Sequence, residues 1–322
     1  MALTLLLLTL LLLICGAFGD KHFGYDGPNG PNHWGDSYNG CVGKHQSPIN
    51  IEEHIVTNVT LPLLKFIGLD HARDAYLTNN GHTAVLRLND SGPAMITGGP
   101  LGSVQYVFEQ LHFHWGENDL EGSEDLINNH SFAMELHVVF YKQNYGSMAH
   151  AIDHSDGLTV LAYFFEAGDD DNPTYEPIVN AVSNIQSVES NVTLAKPMNL
   201  ESILIPNHVS IQDYFTYNGS LTTPPCSESV IWIDFKDNLR LSHKQIAAFR
   251  NIQSTEGVPL THNFRPVQPL EDRQIFHNIP ITDIDSKNSG QSTILALLSL
   301  TCAAVILTAP SEIWTGFFNL LI

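Results

Sequence analysis

Basic residues are scarce in this 322-residue chain: 14 Lys and Arg stand against 34 Asp and Glu, a formal net charge of −20. The two apolar ends carry only Glu312, so the acidity belongs to the middle of the chain. So acidic a surface excludes nucleic acid and anionic lipid surfaces as partners. Repeats and low-complexity linkers are absent from residues 20–284, which are therefore read as one domain. Disorder is excluded by a hydrophobic content of 43%, enough to bury a full core.

Neither terminal apolar run contains a Lys or Arg. Residues 3–14 are apolar apart from Thr4 and Thr9 and lead into the small residues Cys15, Gly16 and Ala17. The run is short for a membrane span and suits a secretory signal cleaved near Ala17 or Gly19, although the usual preceding basic residue is missing. Residues 1–19 are therefore expected to be a signal peptide. At the other end, residues 294–308 are interrupted only by Ser299, Thr301 and Thr308, and they follow the polar stretch 285–292. A retained span normally keeps basic residues on its cytoplasmic side, and none follows here. Small residues before an apolar tail fit a GPI-anchor signal over residues 285–322, placing the protein on the extracellular face of the cell membrane. A retained single transmembrane span and simple secretion are the alternatives.

Only four cysteines are present. Cys15 leaves with the signal and Cys302 lies in the tail, so Cys41 and Cys226 are expected to form one disulfide closing 185 positions. Five Asn-X-Ser/Thr sequons, at Asn58, Asn89, Asn129, Asn191 and Asn218, agree with passage through the secretory pathway, some of them being used.

Short β-rich segments at 84–88, 105–115, 134–141, 158–165 and 230–235 are separated by Gly, Asn, Asp and Pro turns. Such spacing predicts a large sheet of short strands and not a βαβ repeat. Helices are predicted over 177–188 and 242–252, the second capped by Ser242. Asp169-Asp170-Asp171, followed by Asn-Pro, predicts a solvated turn.

The chemistry centres on His112-Phe113-His114, followed 23 positions after His114 by His137 in Glu135-Leu136-His137. Residues two apart on a strand share a face, so His112 and His114 stand side by side, as do Glu135 and His137. If the two strands are neighbours, three imidazoles converge and leave the fourth tetrahedral position of zinc open, an arrangement for catalysis. Taken singly these signals are weak: His-X-His is an ordinary pair in a chain with 16 histidines, and Thr222-Thr223-Pro224-Pro225 is an ordinary turn.

Further motifs surround them in a fixed order: Gln46-Ser47-Pro48-Ile49-Asn50, Asn79-Asn80-Gly81-His82, Gly98-Gly99-Pro100-Leu101, Gly122-Ser123-Glu124, Gly219-Ser220-Leu221-Thr222-Thr223-Pro224-Pro225-Cys226 and Asn263-Phe264-Arg265-Pro266. Together with the histidine motif they closely resemble the alpha-carbonic anhydrases over residues 23–275. The resemblance implies an α+β, mainly β single domain around a large, mostly antiparallel twisted central sheet with short peripheral helices. It implies reversible hydration of CO2 to bicarbonate and a proton by attack of zinc-bound hydroxide, with one zinc per chain. His112, His114 and His137 would be the ligands. Gln110, Glu135 and the backbone carbonyl of Asn263 would hold their second ring nitrogens. Thr222, donating to Glu124, would orient the nucleophile. Val139, Val160, Leu221 and Trp232 would form an apolar wall for CO2, with Thr223 at the same mouth. His82 would relay the proton along water ordered by Tyr25 and Asn80. Sulfonamides and anions would inhibit.

Two rival functions are weaker. A non-catalytic binding module of this family would lack one or more zinc histidines, and all three are present. An esterase would share the same nucleophile, but the apolar wall suits CO2 better. The chain departs from the family pattern at Asp125, where histidine is common after Gly-Ser-Glu, and at Phe23, where tryptophan is common. Ala84 and Val85 replace larger or more polar residues near His82.

Overall fold

Two strands buried on both faces form the centre of the molecule. Met134–Lys142 is buried through its first seven residues and Leu158–Gly168 through its first eight, so neither shows a polar face to solvent. Strands covered on both sides run nearly continuous in apolar residues, as 158–165 does. In the computed structural model these strands belong to a 13-stranded sheet. The structure describes residues 22–280 except Ser91, Pro93 and Val209. The expected signal peptide, the expected anchor segment, Cys15 and Cys302 lie outside the described residues.

From near one edge to near the other the sheet runs Ala75–Asn79, Ala84–Leu88, Tyr106–Trp115, Met134–Lys142, Leu158–Gly168, Val230–Phe235, Tyr214–Gly219 and Phe276–Asn278. The predicted strands are all present, within a few residues of their expected ends. Most pairings in the sheet are antiparallel, as expected, but the sheet is mixed. Leu158–Gly168 pairs in parallel with both Val230–Phe235 and Leu239–Ser242, and Phe276–Asn278 pairs in parallel with Thr57–Val59. Parallel neighbours need a crossover connection, which the long stretch between 168 and 230, with its short helices, supplies.

Side-chain alternation divides the sheet into two faces. Leu111, Phe113, Trp115, Leu136, Val138, Phe140, Leu161 and Tyr163 enter the larger core. Helices Glu176–Val182 and His243–Phe249 pack there through Ile178, Val182, Ile246 and Phe249. The intervening residues His112, His114, Glu135 and His137 face the other way, beside a smaller core containing Val139, Val160, Ala162 and Trp232. The helix expected over 177–188 stops at Val182, where Ser183 and Asn184, which compete for backbone hydrogen bonds, follow. The second helix begins after Ser242 with a full capping box completed by Gln245. Asp169, Asp170 and Asp171 are exposed, as expected.

Cys41 and Cys226 are joined, fastening the N-terminal arm beside the Thr222–Pro225 turn. The approach is close: a Cβ on Gly40 would sit 2.2 Å from the Pro225 carbonyl oxygen, so only glycine fits there. A crosslink over so long a loop restricts the unfolded chain strongly. Replacing both cysteines by serine is expected to lower unfolding free energy by about 2–5 kcal/mol. Urea denaturation checks this, and an unchanged midpoint would contradict it.

Candidate metal centre

Register brings the three histidines together. In the pairing of Tyr106–Trp115 with Met134–Lys142, His137 stands opposite His112 and Glu135 opposite His114. Ring centroids lie 5.0 Å apart for His112 and His114, 5.2 Å for His112 and His137, and 4.5 Å for His114 and His137. One nitrogen of each ring is engaged from behind. His112 Nδ1 pairs with Gln110 Oε1 at 3.0 Å, His114 Nδ1 with the Asn263 carbonyl at 2.8 Å, and His137 Nε2 with Glu135 Oε1 at 2.6 Å. With the hydrogen on the engaged nitrogen, His112 Nε2, His114 Nε2 and His137 Nδ1 keep open lone pairs. The ring atoms available as ligands lie within 4.8 Å of one another.

The environment keeps the rings neutral. Burial drives the His137 pKa down to about 3. It holds His112 and His114 well below the usual imidazole value, with repulsion among the rings adding to the effect. Neutral imidazole is the form that binds metal. Two buried atoms here lack any hydrogen-bond partner, His114 Nε2 and Glu124 Oε2, and they lie 3.3 Å apart. Three convergent neutral nitrogens beside an unsatisfied carboxylate oxygen fit a zinc ion with an open fourth position. Among the described residues this is the one cluster of three or more His, Cys, Asp or Glu placed to hold a metal.

Glu124 is fixed by the backbone N–H of Arg265, which donates to its Oε1 at 2.8 Å. Burial and the nearby Glu135 raise its pKa well above the carboxylate range, against the lowering effect of the Thr222 hydroxyl. Thr222 is buried, while Leu221 and Thr223 are partly exposed. Val139, Val160 and Trp232 are buried together, and the Trp232 ring lies 4.8 Å from that of His137. The elements therefore bring together the three histidines, their three partners, Glu124, Thr222 and the apolar wall.

The His82 surroundings differ in kind. Asn80 Oδ1 accepts from the backbone N–H groups of His82 and Thr83, so Asn80 closes the turn that carries the histidine. The His82 ring lies flat on Phe23, with centroids 3.8 Å apart and planes 10° apart. Burial, aided by His22, takes its pKa down to about 4. Tyr25 is buried with an unpartnered hydroxyl, near enough to Glu124 for their charges to interact.

Asp125 occupies a buried network in place of the histidine common there. It accepts from the backbone N–H of Ile49 at 2.7 Å and from the Tyr217 hydroxyl at 3.1 Å. Asp234, absent from the residues singled out in the sequence, lies nearby. It is fully buried and neither carboxyl oxygen has a hydrogen-bond partner. Burial, then the charges of Asp125 and Glu135, raise its pKa well above the usual value. A signal was available: Asp234 is in phase with Val230 and Trp232, on the inward side of an otherwise apolar strand. Arg265 was also missed as a single residue, although its motif was noted. Its guanidinium donates to Gln46 Oε1 and to the carbonyls of Ser47 and Cys41.

The family model of eukaryotic-type carbonic anhydrases matches residues 29–279. Carbonic anhydrase 15 of Mus musculus is 36% identical over 298 residues, covering 89% of each chain. Carbonic anhydrase 3 of Sus scrofa is 34% identical over 260 residues, covering 79% of this chain and 96% of the relative. The corresponding protein of Bos taurus is 34% identical over 262 residues, with the same coverage.

Asp234 yields a pH-dependent expectation. A carboxyl whose folded pKa is raised stays protonated in the native state while the unfolded chain ionises. Native stability therefore falls as pH rises above the unfolded value near 4, by about 1.4 kcal/mol per pH unit while that difference lasts. Asp234→Val is expected to raise the melting temperature at pH 7, with the gain shrinking toward pH 4. A gain independent of pH, or a loss at pH 7, would contradict burial of Asp234 as a neutral acid.

Proposed function

Because the chain belongs to the eukaryotic-type carbonic anhydrase family, whose members hydrate CO2 with zinc, we propose that His112, His114 and His137 hold one zinc ion for the reversible conversion of CO2 to bicarbonate and a proton. The observation that carries this is the convergence of three neutral ring nitrogens, each ring held from behind by its own acceptor. Zinc bound there supplies the charge that lowers the pKa of a water molecule to about 7, the value established for carbonic anhydrase itself.

The chain's own residues do the rest. Gln110, the Asn263 carbonyl and Glu135 fix the tautomers and orientations of the three imidazoles. The Thr222 hydroxyl donates to Glu124, leaving its oxygen to accept a hydrogen from the nucleophile and turn a lone pair toward the substrate. Val139, Val160, Leu221 and Trp232 give CO2 a dry surface, since an apolar gas gains nothing from hydrogen-bond donors. Thr223 lines the mouth. His82 accepts the released proton on a ring nitrogen, across water ordered by Tyr25 and Asn80. Sulfonamides and small anions compete for the open metal position.

The cell-surface assignment is supported by the sequence of the ends and by the middle of the chain. All five sequon asparagines, Asn58, Asn89, Asn129, Asn191 and Asn218, are exposed and so open to glycosylation. Among the described residues no helix is long and apolar enough to cross a membrane. Residues 1–19 serve as the signal, and residues 285–322 direct GPI attachment.

His112→Ala is expected to lose zinc by metal analysis and nearly all hydration activity, whereas Thr222→Ala keeps its zinc and loses about 10²-fold in rate. Full zinc and turnover in His112→Ala would overturn the ligand assignment. Phosphatidylinositol-specific phospholipase C should release active enzyme from expressing cells. Enzyme that stays on the membrane and yields peptides from residues 314–322 would make the tail a retained span.

A further inference from the structure

The row of side chains that contains His112 continues past the metal centre to an edge of the sheet. His112 stands opposite Val85, Val85 opposite Thr78, and Thr78 opposite Asn191 on the edge strand Asn191–Thr193. Directly paired residues of neighbouring strands share a face, so the Asn191 side chain and the His112 ring project from the same side. Three strand spacings separate them, about 14 Å. Exposure rises toward the edge: Val85 is buried, Thr78 partly exposed and Asn191 exposed. Of the three convergent histidines only His112 is partly exposed, so solvent reaches the site from this end. Backbone bonds tie the entry to the edge strand to the turn that carries His82. The Asn79 N–H donates to the Ser190 carbonyl at 3.1 Å, and the Glu189 N–H to the Asn79 carbonyl at 2.8 Å. Val192 packs on the larger core, which turns Asn191 and Thr193 out to solvent.

Asn191-Val192-Thr193 is a glycosylation sequon, and two others show what is particular about its place. Asn58 ends the same row at the far side, six strand spacings from His112, about 29 Å. Asn218 stands in the row of Ile231, Thr159 and Phe140, on the other face of the sheet. We propose that Asn191 carries an N-linked glycan that stands over the mouth of the three-histidine cleft, screening it from macromolecules while small molecules pass. This rests on the passage through the secretory pathway proposed above. The Asn191 amide nitrogen bonds to the anomeric carbon of an oligosaccharide. The bond from that carbon to a diphosphate-linked lipid carrier breaks, and the amide proton goes to the released diphosphate. A branched sugar is bulky and solvated, and anchored about 14 Å from His112 it reaches across the opening. Carbon dioxide and bicarbonate pass between its branches, whereas a folded protein does not.

The test uses full-length protein expressed in animal cells: wild type, Thr193→Ala, Asn58→Gln, and wild type trimmed with an endoglycosidase. Peptide mass spectrometry should find sugar on Asn191 in wild type and none in Thr193→Ala. An arylsulfonamide, free or tethered by a short linker to serum albumin, then probes the site through its association rate. Removing the sugar by either route should speed association of the albumin conjugate about ten-fold, within the range over which such rates vary among related complexes. Trimming leaves the chain unaltered, so it answers even where Thr193→Ala folds poorly. Binding of the free sulfonamide and the rate of CO2 hydration should not change, and Asn58→Gln should behave as wild type. Asn191 found bare while other sequons carry sugar would overturn the proposal. So would a conjugate that binds equally fast with and without the sugar, or equal acceleration in Asn58→Gln. Sugar on no sequon at all would remove the secretory reading, and this proposal with it.

Discussion

Each of the three convergent imidazoles is pinned by a hydrogen bond on one ring nitrogen, and the rest of the site depends on that constraint. A histidine free to flip or change tautomer would present a lone pair in one state and an N–H in another. Gln110, the Asn263 carbonyl and Glu135 remove that freedom from three rings at once. Two of these partners sit two residues from their histidines on the same strands, so strand periodicity supplies them directly. The third comes from residue 263, which reaches the sheet through further bonds: the Asn263 side chain accepts from the Trp115 N–H and donates to the Phe113 carbonyl.

Behind the rings lies an unusual concentration of buried carboxyls. Glu124, Asp125, Glu135 and Asp234 are all essentially without exposure. Several charges so close cannot all persist in a low dielectric, and burial raises the pKa of each. Backbone amides offset part of the cost: Glu135 Oε2 accepts from the N–H groups of Glu124 and Asp125. Arg265 links this region to the arm of the fold. Its amide holds Glu124, and its guanidinium reaches Gln46, Ser47 and Cys41, next to the disulfide. The crosslink and the Glu124 carboxyl thus share one supporting residue.

Much of this was legible in the amino-acid order. Period two placed His112 with His114 and Glu135 with His137, and the motifs around them named the family. The central strands were recognisable from their apolar runs, and Ser242 marked its helix. What was not legible arises from pairing across long sequence distances. The parallel neighbours of Leu158–Gly168 depend on crossovers that local pattern does not encode. The stack of Phe23 on His82 joins the N-terminal arm to a turn nearly sixty residues away, and a single phenylalanine carries no mark of it. Asp234 had a local signal, yet its significance appears only when Asp125 and Glu135 are seen beside it.

The central claim is that three imidazoles, and no other protein group, present their open nitrogens to one zinc ion. Zinc K-edge X-ray absorption on the purified protein, loaded to one equivalent, tests it directly. Three imidazole nitrogens at about 2.0–2.1 Å and one further light atom are predicted. A spectrum with fewer imidazoles, with a sulfur ligand, or with a carboxylate in place of a histidine would contradict it.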